Sequence, residues 1–264
     1  MHMLNSLPLV LAGLGVGFMV GMTGVGGGSL MTPILVFVFG QAPMAAVGTD
    51  LFFACVTKSV GTAAHQRHRS VNWRIVGLLA AGSLPSSLLT LLALWWVRTA
   101  QSKNVVVMAL LGGLILLTGA QMLGLWRTGR RVGPRPDLGE RYPLLTVACG
   151  ALLGALVTLT SIGAGALGVV MLRALYPKTL PTPALVGSDL AHAIPLTLVA
   201  GVGYLSMGRV ESATLGWLLL GSIPGVLLGS MLPSRLPEVV VRRALGCLLV
   251  LVGAKTLAAS WPLG

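Results

Sequence analysis

Charged side chains are scarce in this chain of 264 residues: Asp, Glu, Lys and Arg together make up 9% of it, and only six residues are acidic. Soluble globular domains carry about 25% charged residues, so the composition excludes that class. Aromatic residues are also few, at 5%, whereas apolar residues reach 55%. Several apolar runs exceed the ~18 residues needed to cross a bilayer. The sequence therefore predicts an all-α, polytopic membrane protein.

Cysteine is also rare, and Cys55, Cys149 and Cys247 stand singly within apolar runs. Without a Cys-x-x-Cys pair, neither a disulfide framework nor a cysteine zinc site is indicated. The eleven methionines are scattered, which disfavours a soft-metal site. The glycine-rich string at 24–28 lacks the Lys-Ser/Thr of a phosphate loop. We expect no cofactor and no metal.

The shortage of acidic residues leaves a formal net charge of +12. The basic residues lie at the ends of apolar runs, mainly within 67–74, 127–141 and 235–243. This distribution is typical of orientation signals and of contacts with anionic lipid, so we expect no nucleic-acid partner. The N-terminus has no basic n-region and is predicted to be a membrane segment, not a cleaved signal peptide.

An internal duplication is the most informative feature of the chain. The string Val47-Gly48-Thr49-Asp50-Leu51 returns 139 residues later as Val186-Gly187-Ser188-Asp189-Leu190. The same offset relates Gly82 to Gly221, Ser83 to Ser222 and Pro85 to Pro224. We predict an N-terminal repeat at 1–126, a basic cytoplasmic linker at 127–143 and a C-terminal repeat at 144–264. An intramembrane acid at the same point of both repeats is typical of a transporter.

Two apolar runs, 7–39 and 144–175, are too long for a single crossing. As continuous helices each would extend ~50 Å, against a hydrocarbon core of about 30 Å. Each is interrupted near its middle by small residues, at 21–29 and 158–165. If both fold back as hairpins, the halves are inverted and the basic residues other than Lys58 divide thirteen to four between the membrane faces. Single crossings give ten to seven. The positive-inside rule therefore favours two inverted repeats, each a hairpin plus three transmembrane helices.

The glycine-rich interruptions are the first candidate substrate site. A broken helix presents free N–H groups and a positive dipole end, which suit an anion, and hydroxyls add donors. Glycines that only permit close helix packing are the alternative. The predicted substrate-binding residues are Thr23, Gly24, Gly26, Gly27, Gly28, Ser29, Thr160, Ser161, Gly163, Gly165 and Lys58.

Asp50, Asp189 and His192 are predicted to couple protons or to gate, because ionisable groups inside a membrane usually mark pathways. The alternatives are a buried ion network that fixes helix packing, or capping of helices at the membrane surface. Asp189 and His192 are spaced to meet across one turn. Asp50 and Lys58 lie ~12 Å apart along one helix, so inverted symmetry would instead bring Lys58 to Asp189.

The chain resembles the TauE/SafE family of bacterial membrane proteins over essentially its whole length. The resemblance rests on 21–33, Gly48-Thr49, the stretch 61–74, and the counterparts at 160–165 and 187–224. It implies a secondary transporter of a small oxyanion or organosulfonate in the bacterial inner membrane, and not an enzyme. Asp50 and Lys58 are absent from many members and indicate a distinct subgroup.

Other functions stay open at this point. A transporter of cations or metals could use the two acids, a passive channel has no excluding feature, and an intramembrane aspartyl hydrolase is disfavoured by the strict duplication. For the leading hypothesis we expect alternating access and proton coupling. The expected partners are a small anion, protons and the lipid bilayer, and a homodimer is compatible with the sequence.

Overall fold

The computed structural model describes residues 2–23, 28–66, 71–99, 137–161 and 165–231, together with single positions within 112–123 and 246–258. These residues form helices and loops with no strand among them, which confirms the all-α prediction. The helices are α1 (His2–Thr23), α2 (Gly28–Phe37), α3 (Pro43–Gln66), α4 (Trp73–Thr99), α5 (Leu138–Arg141), α6 (Pro143–Thr160), α7 (Ala166–Leu175), α8 (Thr182–Ser206) and α9 (Ser212–Met231).

Four helices contain segments long and apolar enough to cross a membrane: Trp73–Trp96, Pro143–Thr160, Pro183–Ser206 and Ser212–Met231. Large apolar side chains are exposed along them, as on a surface that faces lipid. Trp95 and Trp96 are exposed near the end of α4, where interfacial aromatic residues are expected. The chain is a multi-pass membrane protein.

Both long apolar runs are interrupted where the small residues predict. α1 ends at Thr23 and α2 begins at Gly28, while α6 ends at Thr160 and α7 begins at Ala166. In the second interruption Ser161 has φ 56° and Gly165 has φ 125°. A left-handed backbone is uncommon for a residue with a side chain, so Ser161 marks a sharp end to α6.

The second interruption is the turn of a hairpin. The hydroxyls of Tyr176, just after α7, and Thr146, in the first turn of α6, are hydrogen-bonded at 2.8 Å. Asp137, before α5, accepts hydrogen bonds from the backbone N–H of Lys178 (3.0 Å) and from the Thr179 hydroxyl. Because the end of α7 lies beside the start of α6, this run folds back instead of crossing once.

The first interruption has the same consequence. Gln41, just after α2, donates from Nε2 to Thr214 Oγ1 at 3.1 Å in the first turn of α9. Helices α1 and α9 run parallel, with Gly13 against the backbone of Leu218. Because Thr214 lies about one turn before Leu218, the end of α2 lies beside the part of α1 about one turn before Gly13. The first long run therefore also folds back.

Each hairpin packs on a helix of the other half. A Cβ on Gly17 of α1 would lie 2.4 Å from the Ser222 carbonyl oxygen of α9, and one on Gly154 of α6 would lie 2.3 Å from that of Ser83 on α4. These two contacts are related by the repeat, since Ser83 and Ser222 share the 139-residue offset. Glycine allows two membrane helices this close an approach, so these glycines, which lie outside the interruptions, are packing residues.

Helices α3 and α8 cross in opposite directions at the centre. Gly48, near the start of α3, lies against the carbonyl of Arg209, just past the end of α8, and a Cβ there would be 2.1 Å from that oxygen. In the middle, the Cys55 thiol donates to the Ile194 carbonyl at 3.8 Å. Cys55 and Ile194 occupy the same position of the two repeats.

Candidate functional site

Helices α3 and α8 bury one carboxyl group each at matching positions. Asp50 is the eighth residue of α3 and Asp189 the eighth of α8, with exposed fractions of 0% and 1%. Both lie about two turns inside their helices. Neither acid therefore caps its own helix.

Lys58 brings a positive charge to the same region. It is fully buried, and it is the one Lys or Arg that is buried in the part of the chain described by the structure. Its electrostatic partners are two carboxyl groups, Asp189 of the other half and Asp50 of its own helix. The structure thus places Lys58 within electrostatic range of the acids of both halves.

Asp50 is fixed to the first hairpin. Its Oδ2 accepts hydrogen bonds from the backbone N–H of Thr32 at 3.1 Å and from the Thr32 hydroxyl at 2.5 Å. Thr32 lies in α2, so these bonds join α2 to α3. The Ser161 side chain, from the turn of the second hairpin, lies near the same carboxyl group without forming a hydrogen bond of ordinary geometry.

Asp189 has a different environment. Neither of its carboxyl oxygens has a hydrogen-bond partner among the described residues. The group packs against the backbone of α7, where a Cβ on Gly168 would lie 1.7 Å from Oδ1. The Gly165 backbone N–H lies near it, at the start of α7. The turn of the second hairpin therefore contacts both acids, Asp50 through Ser161 and Asp189 through Gly165.

His192 does not pair with Asp189, although the spacing along α8 permits it. Its Nε2 lies 2.8 Å from the Ser83 hydroxyl of α4, and its Nδ1 has no hydrogen-bond partner among the described residues. The packing of α8 on α4 brings Ser83 to the imidazole ring. The predicted contact across one turn is thus replaced by a contact between halves.

Unpaired polar atoms are concentrated around Lys58. Five such atoms lie in this region without a hydrogen-bond partner among the described residues: Asp50 Oδ1, Ser161 Oγ, Asp189 Oδ1, Asp189 Oδ2 and His192 Nδ1. Buried polar atoms in proteins are nearly always paired with protein or with water. A cluster of unpaired atoms around a buried cation is therefore suited to a polar ligand.

The other predicted site residues contribute less to this geometry. Thr160 donates its hydroxyl to the Leu156 carbonyl at 2.7 Å, within its own helix. Thr23, Gly28 and Ser29 lie at the ends of α1 and α2, but their surroundings are outside what the structure describes. Gly24, Gly26, Gly27 and Gly163 lie outside the described residues.

The hydroxyl residue before each acid accepts a hydrogen bond from the backbone of the opposite half. The backbone N–H of Glu211 donates to Thr49 Oγ1 at 3.1 Å, and that of Asn72 donates to Ser188 Oγ at 2.9 Å. Asn72 and Glu211 share the 139-residue offset and directly precede α4 and α9. We name these two contacts the latches. The latches were not predicted, although the hydroxyl residue repeated as Thr49 and Ser188 could have indicated them.

Thr32 and Ser83 were also missed as site residues. Thr32 has no polar counterpart in the second half, and Ser83 stood out only as one of several repeated positions. Each contacts the site from a helix other than the one that carries its partner. Sequence spacing along one helix could not indicate such contacts.

Comparison with known proteins decides the family. The family model described as "Sulfite exporter TauE/SafE" matches residues 9–256, almost the whole chain. The protein belongs to this family. It is 36% identical over 212 residues to "Probable membrane transporter protein YjnA" of Bacillus subtilis, covering 78% of this chain and 82% of that protein. No solved structure matches this TauE/SafE chain.

More distant relatives carry the same description. The chain is 28% identical over 209 residues to a "Probable membrane transporter protein" of Methanocaldococcus jannaschii, covering 76% of this chain and 73% of that protein. A Xylella fastidiosa protein with the same name is 30% identical over 199 residues, covering 72% of this chain and 70% of its own length. The TauE/SafE family is thus one of membrane transporters, which agrees with the prediction of transport.

Proposed function

We propose that this protein is a secondary transporter that carries a small oxyanion or organosulfonate, such as sulfite, across the bacterial inner membrane together with protons. The observation that carries the proposal is Lys58, a buried cation at the crossing of α3 and α8 that is surrounded by unpaired polar atoms. The family description, sulfite exporter, supports the substrate class.

In this proposal the two halves are inverted repeats. Three observations support it: α3 and α8 are antiparallel, equivalent residues meet at their crossing, and each hairpin packs on a helix of the other half. A two-fold axis in the plane of the membrane relates elements in this way, as in other transporters with inverted repeats. Substrate sites in such proteins lie at the interface of the repeats, which is where Lys58 lies.

The chemistry around Lys58 suits an anion. The ammonium group supplies up to three donors, and the Ser161 hydroxyl supplies another. The start of α7, at Gly165, supplies the positive end of a helix dipole next to the same region. A tetrahedral or pyramidal oxyanion has oxygens for all of these donors.

Charge balance gives protons a role in the cycle. With Asp50, Asp189 and Lys58 all ionised, the buried site carries one net negative charge. A bound anion would add at least one more, and uncompensated buried charge is strongly unfavourable. Uptake of a proton by a carboxyl group when the anion binds removes this penalty. The charges of the surrounding residues therefore support coupling of the anion to a proton.

Alternating access requires two gates, and the latches supply candidates. Thr49–Glu211 lies where α3 starts and α8 ends, and Ser188–Asn72 lies at the opposite end of the same antiparallel pair. We propose that each latch opens in turn, which exposes the site to one side of the membrane at a time. Thr49 and Ser188 directly precede Asp50 and Asp189 in sequence. A change at the site therefore acts on the latches through adjacent residues.

The test is flux of radiolabelled sulfite into proteoliposomes, with and without an imposed pH gradient. We expect saturable flux that the gradient drives, and Lys58→Met should lower it at least about tenfold, because loss of a charge-assisted contact weakens binding by that factor. Lys178→Met, at an exposed lysine after α7, is the matched control. Flux unchanged by Lys58→Met, transport of a cation in place of sulfite, or flux without saturation and counterflow would contradict the proposal.

A further inference from the structure

The two acids occupy equivalent positions of the repeats, yet their surroundings are not equivalent. Gly26 and Gly163, like Gly28 and Gly165, are related by an offset of 137 residues, which aligns Thr32 with Val169. Thr32 supplies two donors to Asp50, whereas valine has no hydroxyl to supply to Asp189. The duplication has therefore diverged at the residue that holds the acid.

The two carboxyl groups depend on Lys58 to different degrees. The charge that acts on Asp189 is that of Lys58, and both Asp189 oxygens lack a hydrogen bond among the described residues. Asp50 keeps its two bonds from Thr32 whatever occupies the neighbourhood of Lys58. When an anion takes the donors of Lys58, both acids lose a compensating charge, but Asp50 keeps its hydrogen bonds from Thr32 and Asp189 has no such bonds to keep.

Among the described groups that face Asp189, the cation is Lys58. Helix α3 contributes Lys58, α7 contributes the backbone of Gly168, and Gly165 lies just before α7. On α8 itself His192 lies one turn away, with its Nε2 at the uncharged Ser83 of α4.

We propose that Asp189 takes up the proton that accompanies the anion, and that Asp50 is a positioning residue that fixes the first hairpin to α3. This assignment rests on the proposed proton-coupled transport and divides the two acids between two roles. In the cycle, an anion binds Lys58, a proton from the same side binds the Asp189 carboxylate, and both leave together on the other side. Asp50 remains a carboxylate bonded to Thr32 throughout.

The first test compares two readouts in proteoliposomes: accumulation of labelled sulfite driven by a pH gradient, and sulfite counterflow without one. The ratio of the two should fall about tenfold or more in Asp189→Asn and stay within about twofold of the wild type in Asp50→Asn. Thr32→Val should behave like Asp50→Asn, and both should lower thermal stability in detergent. A ratio that falls in Asp50→Asn, or equally in both acid variants, would overturn the assignment.

The second test does not require transport. Infrared difference spectra between acidic and alkaline buffer, recorded on the purified protein with sulfite present, report the carbonyl band of a protonated carboxyl group. The band should be present in the wild type and in Asp50→Asn and absent in Asp189→Asn. A band that survives in Asp189→Asn and disappears in Asp50→Asn assigns the proton to Asp50. If sulfite flux is absent while the Asp189 band is present, the proposed cargo fails and the proton site stands.

Gly168→Ala provides a second way to disturb Asp189 without changing its charge. The added methyl group would lie 1.7 Å from Oδ1 and must displace the carboxyl group. We expect the carbonyl band to shift and the accumulation-to-counterflow ratio to fall. Gly216→Ala is the control, since nothing lies within 4 Å of a Cβ there. Gly168→Ala with the spectrum and the ratio of the wild type would contradict the role of Asp189.

Discussion

Replacement of Lys58 by methionine tests the buried charges of the site. Methionine keeps much of the volume of the lysine side chain, so the variant removes the charge with little cavity. It leaves Asp50 and Asp189 buried without the cation between them. Removing one partner of a buried ion pair costs about 3–5 kcal/mol of folding free energy, and we expect a loss in this range.

A second substitution should recover part of that loss. In Lys58→Met/Asp189→Asn one of the two carboxylates is neutralised, so the remaining buried charge is smaller. We expect the double variant to regain stability through a coupling energy of about 0.5–3 kcal/mol. Lys58→Met/Asp50→Asn should regain less, because it also removes the charged acceptor of Thr32, whereas Asp189 has no such hydrogen bond to lose.

The assay is unfolding of the purified variants in detergent, followed by tryptophan fluorescence, with Lys178→Met as the control for loss of one positive charge. Stabilities are compared at neutral pH and constant detergent concentration. A Lys58→Met variant as stable as the wild type would refute the reasoning. Greater recovery with Asp50→Asn than with Asp189→Asn would refute the stabilising role of the Asp50–Thr32 hydrogen bonds.

Three further predictions concern packing, a latch and a surface contact. Gly17→Ala should destabilise the protein by about 1–3 kcal/mol, because its Cβ would lie 2.4 Å from a carbonyl oxygen of α9. Gly15→Ala is the control, since its Cβ would meet open space and the variant should be tolerated. Thermal unfolding compares the two variants. Ser188→Ala leaves the N–H before α4 without its acceptor and should speed hydrogen exchange there, with a cost of about 1 kcal/mol, whereas unchanged exchange would contradict the latch. Hydrogen bonds from the Thr179 hydroxyl and the Lys178 N–H lower the pKa of Asp137 below its usual 3.8. The ionised carboxylate therefore stabilises the fold at neutral pH, and this contribution is lost as the pH falls through the lowered pKa. Asp137→Asn should remove this pH-dependent part of the unfolding free energy, which unfolding measured as a function of pH would detect.

The helical class and the broken helices could be predicted from the sequence because they follow from local patterns. Apolar length sets the spans, and small residues in the middle of an overlong run indicate an interruption. The repeat also predicted that Lys58 would meet the acid of the other half. An internal repeat relates distant positions without any knowledge of side-chain packing.

The contacts that distinguish the two acids could not be predicted in this way. His192 is spaced to reach Asp189, yet the packing of α8 on α4 places Ser83 at its ring. Thr32 reaches Asp50 because α2 folds back beside α3. Both depend on which helices are neighbours, and periodicity within one segment contains no information on that.

The position of the bound anion tests most directly whether Lys58 forms the substrate site. A structure of the wild-type protein with selenite, a heavier analogue of sulfite, would locate the anion by the anomalous scattering of selenium. We predict a peak within hydrogen-bonding distance of Lys58 Nζ, beside Ser161 and Gly165 in the turn of the second hairpin. The claim would be contradicted by a peak remote from the crossing of α3 and α8, or by a peak that persists at the same place in Lys58→Met.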